Sequence, residues 1–493
     1  MPEASHNTAL PAAPLQTRLI LAGAALVPVL VLGAALSSET LLLLALAGVC
    51  GVALLPSASW AGIVFFALAL GLRTPMNFMP LRVGGFRIYG GDALLYVVGA
   101  ALLYTLFTAA RGRRAPLVET DRNERIILLL LLLLTGWGAL SSATGVMRGQ
   151  ELRDIIGDFR RFYVYSWALL PPLCFMMARR HIAGAKLALL AGCGGAFLFG
   201  AYRTLSGNHF YPNDEIDIFP RLLADDEIVS LALLLAYLTA FLMAKRPRAL
   251  KTAALAMAAA TAAMMCFSGW RMGIAQALLA PMLVVVLMAR NRGKGVGGIV
   301  LRVGAVMLLL ALGVGLVFAA MSGHVDRVMK MFDERMYSFG IPLISDEDTR
   351  YYAYREALAR YAAHPVLGSG LGDQLSYPKK TSSGTFLYMR GTTHNLFLDT
   401  LYQTGPVGLG LFLALHGFFS WHFWRRIKKI DPRHEPVAVG LFAGYLCTLA
   451  HYCYEPAWVS GMIVLYFSMG FLLVFLRHAR PEAETPAPEA APA

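Results

Sequence analysis

The chain has 493 residues, 57% of them hydrophobic and only 15% charged, a balance that excludes an ordinary water-soluble domain and points to a membrane protein. A formal charge of +13 raises nucleic acid as a partner, but the basic residues are spread over short connections between apolar stretches rather than gathered on one soluble face. No nucleic acid is therefore expected as a partner, and membrane lipids with anionic headgroups account for the bias.

Crossing the hydrocarbon core takes about 20 apolar residues. In chain order, candidates fall at 19–36, 39–55, 58–72, 92–110, 125–142, 161–178, 183–202, 224–244, 250–267, 271–290, 298–321, 405–424, 436–453 and 457–477. The second and third are short, so about 12–14 transmembrane helices are expected. The first span resembles a signal peptide, with Arg18 before it and a small-residue stretch after it, but its length and the spans that follow favour an uncleaved anchor.

Between the spans, the connection at 73–91 is rich in glycine, proline and aromatics and belongs at an interface. Residues 148–161 set Leu152, Ile155, Ile156 and Phe159 on one helical face, the pattern of an amphipathic helix lying on a membrane. The 203–223 connection carries Arg203, His209, Asp214, Glu215, Asp217 and Arg221. Asp225-Asp226-Glu227 opens the next span, where acids complement the helix dipole. Ser268-Gly269-Trp270 forms a tight turn that leaves Arg271 at the start of a span.

The largest polar piece is 322–404, too long for a bare connector. It reads as a short helix at 324–337 and a second at 346–362, stopped before His364-Pro365. A polar loop then leads to a helix opened by Thr393-His394-Asn395 and ended at Gly405-Pro406, which runs into an apolar span. The tail from Pro481 is low-complexity.

Orientation follows from lysine and arginine. With all fourteen segments crossing, the groups at 111–114, 179–180, 245–248, 290–294 and 425–429 fall on one side, that of both termini. Long loops cross largely regardless of charge, so the basic residues of 322–404 do not count against that side. The six cysteines lie within or at the ends of apolar spans and form no C-x-x-C pair, so neither a disulfide framework nor a zinc site is expected.

His394 is the leading chemical candidate, because an imidazole accepts a proton near neutral pH and suits general-base activation of a hydroxyl. A histidine at a helix start also serves as a plain cap or interfacial residue. Asn395 and Asp399 lie four residues apart on its helix and read as orienting or structural. Arg221 and Arg271 stand at span ends beside helix N-termini, a setting for a pyrophosphate, or else snorkel to headgroups. Arg161 and Arg203 lie on the same side. Lys379, Lys380, Tyr388 and Arg390 lie in the loop between the glycine-rich turn and His394, placed to contact a polar or anionic substrate. Asp346-Glu347-Asp348 contains a D-x-D, but this pattern is frequent by chance and sits where a helix begins, so no metal is expected.

The run His364-Pro365-Val366-Leu367-Gly368-Ser369-Gly370-Leu371-Gly372, followed by His394-Asn395-Leu396-Phe397-Leu398, resembles the O-antigen ligase and polymerase-like family of polytopic membrane glycosyltransferases. That family pairs an H-P-x-x-G-x-G-x turn with an H-N-x-x-L helix entering a transmembrane segment. The resemblance implies an all-α polytopic, GT-C-like fold with one large helical periplasmic loop, set in the bacterial inner membrane. It implies an undecaprenyl-pyrophosphate-linked O-antigen as donor, lipid A–core oligosaccharide as acceptor, and no cofactor. His394 would be the catalytic base. Arg221 and Arg271 would hold the pyrophosphate, with Arg161, Arg203 and Arg390 as further substrate contacts and Asn395, Asp399 and Tyr388 in support.

The organisation then reads as a cytoplasmic tail at 1–18, a helix bundle at 19–321, a periplasmic loop domain at 322–404, C-terminal transmembrane helices at 405–477 and a cytoplasmic tail at 478–493. An O-antigen polymerase, or a protein O-oligosaccharyltransferase, would share fold and donor and differ in acceptor. A lipid-linked-glycan flippase is the reading from another class, but it requires ionisable residues at the bilayer midplane, where most of these spans are uncharged.

Overall fold

The computed structural model describes residues 81–83, 86–88, 93–113, 120–175, 180–206, 225–268, 271–293, 349–380, 386–455 and 459–478, with isolated positions and short stretches between them. The tails, the spans expected at 19–36, 39–55 and, but for Leu70, 58–72, most of 298–321, the helix expected at 324–337, the acidic run 346–348 and Arg221 lie outside the described residues.

The elements are β1 Leu81–Val83, β2 Phe86–Ile88, α1 Ala93–Ala110, α2 Arg122–Met147, α3 Leu152–Phe159, α4 Leu170–Phe175, α5 Arg180–Ser206, α6 Asp225–Met243, α7 Arg248–Phe267 and α8 Arg271–Asn291. After them come α9 Thr349–Ala363, β3 Leu375–Lys380, β4 Phe386–Gly391, α10 Leu396–Arg426, α11 Glu435–Tyr452 and α12 Val459–His478. The fold is an all-α polytopic membrane protein with two small antiparallel hairpins, β1–β2 and β3–β4.

Among the described residues, four helices are long and apolar enough to cross a membrane: Arg122–Met147, Arg248–Cys266, Met272–Asn291 and Leu396–Lys429. At 1.5 Å per residue the 26-residue α2 reaches about 39 Å, more than the hydrocarbon core requires. Its Leu129, Leu132, Leu133 and Leu140 are exposed, as are Leu103, Leu106 and Phe107 of α1. Such apolar surface is stable against lipid and costly against water. Helix α6 is the opposite case, buried along nearly its whole length from Glu227 to Ala240, and it packs on α5, α7, α8 and α11.

The segment expected as a uniform span at 161–178 is built differently. Helix α3 passes into a π turn at Arg160–Val164, a 3₁₀ turn at Tyr165–Leu169 and then α4. Pro171 and Pro172 have no N–H for the carbonyls of Trp167 and Ala168. The Trp167 carbonyl instead accepts from the Leu170 amide, a three-residue reach that tightens the helix. Leu152 and Ile156 of α3 are exposed, while Ile155 is buried.

The bundle is tied differently at its two ends. At one, Asp121 and Glu124 form a capping box that opens α2. There Arg477 of α12 donates to Glu124 at 2.6–2.9 Å, and Arg426 of α10 pairs with Asp121. The other end gathers the C-terminus of α2, the N-terminus of α10, α9, the β3–β4 hairpin and the turn after α11.

Candidate functional site

The site is built on a broken helix. Pro406 has no amide hydrogen, and Gly405 adopts φ 70° and ψ −177°, so α10 is two helices meeting at residue 405. The break frees the carbonyls of Tyr402, Gln403 and Thr404, which must find other donors once buried.

The glycine-rich turn supplies them. The Ser369 amide donates to Tyr402 O at 2.6 Å, the Gly370 amide to Gln403 O at 2.9 Å, and the Trp137 indole to Thr404 O at 2.8 Å. The next two amides reach other elements, Leu371 to Ser141 O in α2 at 3.1 Å and Gly372 to the Asp158 carboxylate at 3.1 Å. Arg148 closes over the turn by donating to Gly368 O. The motif 364–372 is thus a clamp joining α2, α3 and the break in α10.

Asp158 is the hub of the joint. It is buried, and it accepts from Arg161 at 2.7 Å, from Gly372 and from Gln403 at 3.2 Å. Burial pushes its carboxyl up from the ordinary aspartate value, and the Arg161 guanidinium opposes that push. Beside it, Tyr402 donates to Asp373 O at 3.0 Å, and Asp373 pairs with Arg360 of α9. An open cavity of about 460 Å³ lies here, lined by Arg148, Gln150, Arg360, His364, Ser369 and Asp373.

The stretch expected to be a polar loop contains the β3–β4 hairpin, in register from Leu375↔Gly391 to Lys380↔Phe386. Alternate residues Leu375 and Tyr377 point inward onto Ala353, Ala357 and Tyr402, which makes a small second core. The hairpin is held to α3 by Arg390, which pairs with Glu151 at 3.0 Å and Asp154 at 3.4 Å. Tyr388 is exposed on its outer face. Because the Arg390–Glu151 pair faces water, Arg390→Ala is expected to leave thermal stability in detergent unchanged within error, which a melting curve would check.

The hairpin delivers the chain to His394. Thr393 is buried and its amide and hydroxyl both reach Asp399 Oδ1, at 2.9 and 2.8 Å. Asn395 is the N-cap of α10, its Oδ1 accepting from the amides of Phe397 at 3.0 Å and Leu398 at 3.1 Å. Between these two fixed residues, His394 is held at φ 59°, the one non-glycine left-handed residue described. Such a conformation persists only when the neighbours over-determine it, and it places the imidazole outside the helix axis.

The His394 side chain is 42% exposed, but its Nδ1 is sealed, has no hydrogen-bond partner among the described residues, and stands 3.9 Å from Glu455 Oε2. Glu455 is buried in the turn after α11, and its other oxygen accepts from Arg350 of α9 at 3.0 Å. Burial works against the charge of Glu455, yet His394, Arg350 and His451 together hold its carboxyl below the usual glutamate range.

Of the residues singled out in the sequence, His394, Asn395, Asp399 and Arg161 thus gather at this end of the bundle, with Arg390 and Tyr388 on the hairpin above α3. Arg203 lies in the last turn of α5 and Arg271 is the first residue of α8, but their side chains, like those of Lys379 and Lys380, lie outside the described part. Asp225 is the first residue of α6. Asp158, Gln403, Arg350 and Asp373 were not singled out. The one available signal for Gln403 was its place just before Gly405-Pro406. Among the described residues, no cluster of three or more histidine, cysteine or acidic side chains is arranged to hold a metal ion.

Residues 254–413 match the family model Wzy_C, described as O-antigen ligase. The matched region runs from α7 into the second half of α10 and contains the clamp, the hairpin and His394. No curated protein gives a significant match to the chain.

Proposed function

We propose that this chain, O-antigen-ligase-like across residues 254–413, is a ligase that moves polysaccharide from undecaprenyl pyrophosphate onto lipid A–core oligosaccharide. An O-antigen ligase or polymerase type of membrane glycosyltransferase is what the family match supports; the donor, the acceptor and the steps belong to this proposal. The observation that carries it is the setting of His394. It sits within the matched region at the mouth of a membrane helix, with one nitrogen buried against a carboxylate and the rest of the ring reaching solvent.

In this mechanism the chain lies in the bacterial inner membrane with the site facing the periplasm, and 322–404 is the loop domain over it. His394 takes the proton of the acceptor hydroxyl. The hydroxyl oxygen forms a bond to the anomeric carbon as that carbon's bond to the pyrophosphate oxygen breaks, which inverts the centre. Undecaprenyl pyrophosphate leaves with the bonding pair. Arg271 and Arg221 stabilise the growing charge on the leaving group, with Arg161, Arg203 and Arg390 as secondary contacts. Asn395 and Asp399 keep His394 in place, and Tyr388 presents an aromatic face to the glycan.

The test is transfer by the purified protein, in EDTA, between undecaprenyl-pyrophosphate glycan and lipid A–core. Glycosylated lipid A–core is the expected product. Glycan that lengthens on the carrier while the core stays bare would make the protein a polymerase. Transfer to an added peptide would make it a protein O-oligosaccharyltransferase, and carrier movement across vesicles without any transfer would leave a flippase.

A further inference from the structure

The turn after α11 has no part in the mechanism above, yet it brings a buried carboxylate to the back of the histidine. Resting on the reading of His394 as the base, we propose that Glu455 is its positioning residue: it holds the imidazole with the proton on Nδ1, so that Nε2 is the nitrogen presented to the acceptor.

The geometry has three parts. First, Glu455 is clamped, because Arg350 donates to Oε1 at 3.0 Å and lays its guanidinium 3.8 Å over the Tyr454 ring. That leaves Oε2 as the oxygen facing His394 Nδ1 at 3.9 Å. Second, Nδ1 is sealed from solvent and among the described residues has no other hydrogen-bond partner, so the carboxylate is the acceptor at hand. Third, the backbone on either side of His394 is pinned by Thr393 to Asp399 and by the Asn395 cap, so the ring has little freedom beyond rotation about its own bonds.

A gap of 3.9 Å is longer than a hydrogen bond, and such contacts tighten when substrate fills the site. A carboxylate at that position accepts only from an N–H, which fixes the tautomer. When Nε2 takes the acceptor proton, the ring becomes an imidazolium whose charge Glu455 balances, and Glu455 keeps no proton itself. The proton then passes from Nε2 to solvent. Among the described residues, the charged and titratable groups around the pair are Arg350 from α9, His451 and Tyr454 from the end of α11 and the turn after it, and Asp399 on α10, which is turned inward to Thr393.

The test needs no glycan. Nitrogen-15 NMR of histidine-labelled full-length protein in detergent, with the His394 signals assigned by their loss in His394→Gln, tells a protonated ring nitrogen from a bare one. In the wild type the neutral His394 ring is expected to carry its proton on Nδ1, and in Glu455→Gln to lose that preference. In the transfer assay Glu455→Gln is expected to lower kcat about 10-fold or more with little change in KM. Glu455→Asp is expected to recover part of both effects.

A wild-type ring protonated on Nε2, or the same tautomer in wild type and Glu455→Gln, would overturn the proposal. Should Glu455→Gln not give a monodisperse protein, the wild-type tautomer decides alone. If the tautomers are as expected but the wild type transfers nothing, the pair stands and the functional reading fails.

Discussion

Replacing His394 by alanine is expected to lower glycan transfer by about 10²- to 10⁴-fold, the range lost when a positioned general base is removed. Donor KM should change little, because the pyrophosphate contacts are assigned to arginines elsewhere. The fold offers an internal control. His394 has φ 59°, where an L-residue carries strain that glycine does not. Alanine keeps that strain and glycine relieves it, by about 1 kcal/mol. His394→Gly is therefore expected to melt higher than His394→Ala while being equally inactive. Transfer near the wild-type rate in either variant would remove His394 from the chemistry, whatever its stability.

The largest effect on the fold is expected at the break in α10. Gly405→Ala puts a Cβ 2.2 Å from the Val366 carbonyl oxygen and 2.9 Å from its carbon, both backbone atoms that no side-chain rotation can move. It also asks alanine to adopt φ 70° and ψ −177°, a region essentially closed to residues with a Cβ. Gly370→Ala meets the same obstacle against the backbone of Gly145, 2.5 Å from its nitrogen.

Each substitution must pull the turn off the freed carbonyls of Tyr402 and Gln403, leaving buried acceptors without donors. A cost of about 3 kcal/mol or more follows. In detergent this should appear as loss of the monodisperse peak or a large drop in melting temperature. Gly410→Ala, in the same helix with nothing within 4 Å of the new methyl, is the matched control and is expected to be neutral or slightly stabilising. If Gly405→Ala melted like Gly410→Ala, the clamp would not be what holds the break.

The order in which these features become readable follows their range along the chain. An apolar run long enough to cross a membrane announces itself locally, so the helices at α1, α2, α5 to α8 and α10 to α12 were legible from hydropathy. The break was legible too, since Gly405-Pro406 is a local instruction, and so was the start of α10, where Asn395 caps the two amides that follow it. His394 is marked by its imidazole at a helix start and by the H-N-x-x-L pattern it opens.

The misreadings came where partners are distant or local cues compete. The hairpin at 375–391 reads as a polar loop because its lysines and Pro378 hide an alternation that matters only once Ala353, Ala357 and Tyr402 arrive to cover Leu375 and Tyr377. The span expected at 161–178 kept its hydropathy but not a single helix type, and its 3₁₀ turn follows from two prolines that remove donors a hydropathy window does not count. The contacts that define the site join residues 214 and 245 positions apart at Asp158 and 105 apart at Arg350–Glu455, while the far end of the bundle is closed over 353 at Arg477–Glu124. No local pattern says which donor will reach a carbonyl freed by a proline. That choice is made when helices pack and every buried polar group must find a partner, so the membrane character and the histidine were written in the chain, while the clamp on Gly405 and the carboxylate behind His394 came only with packing.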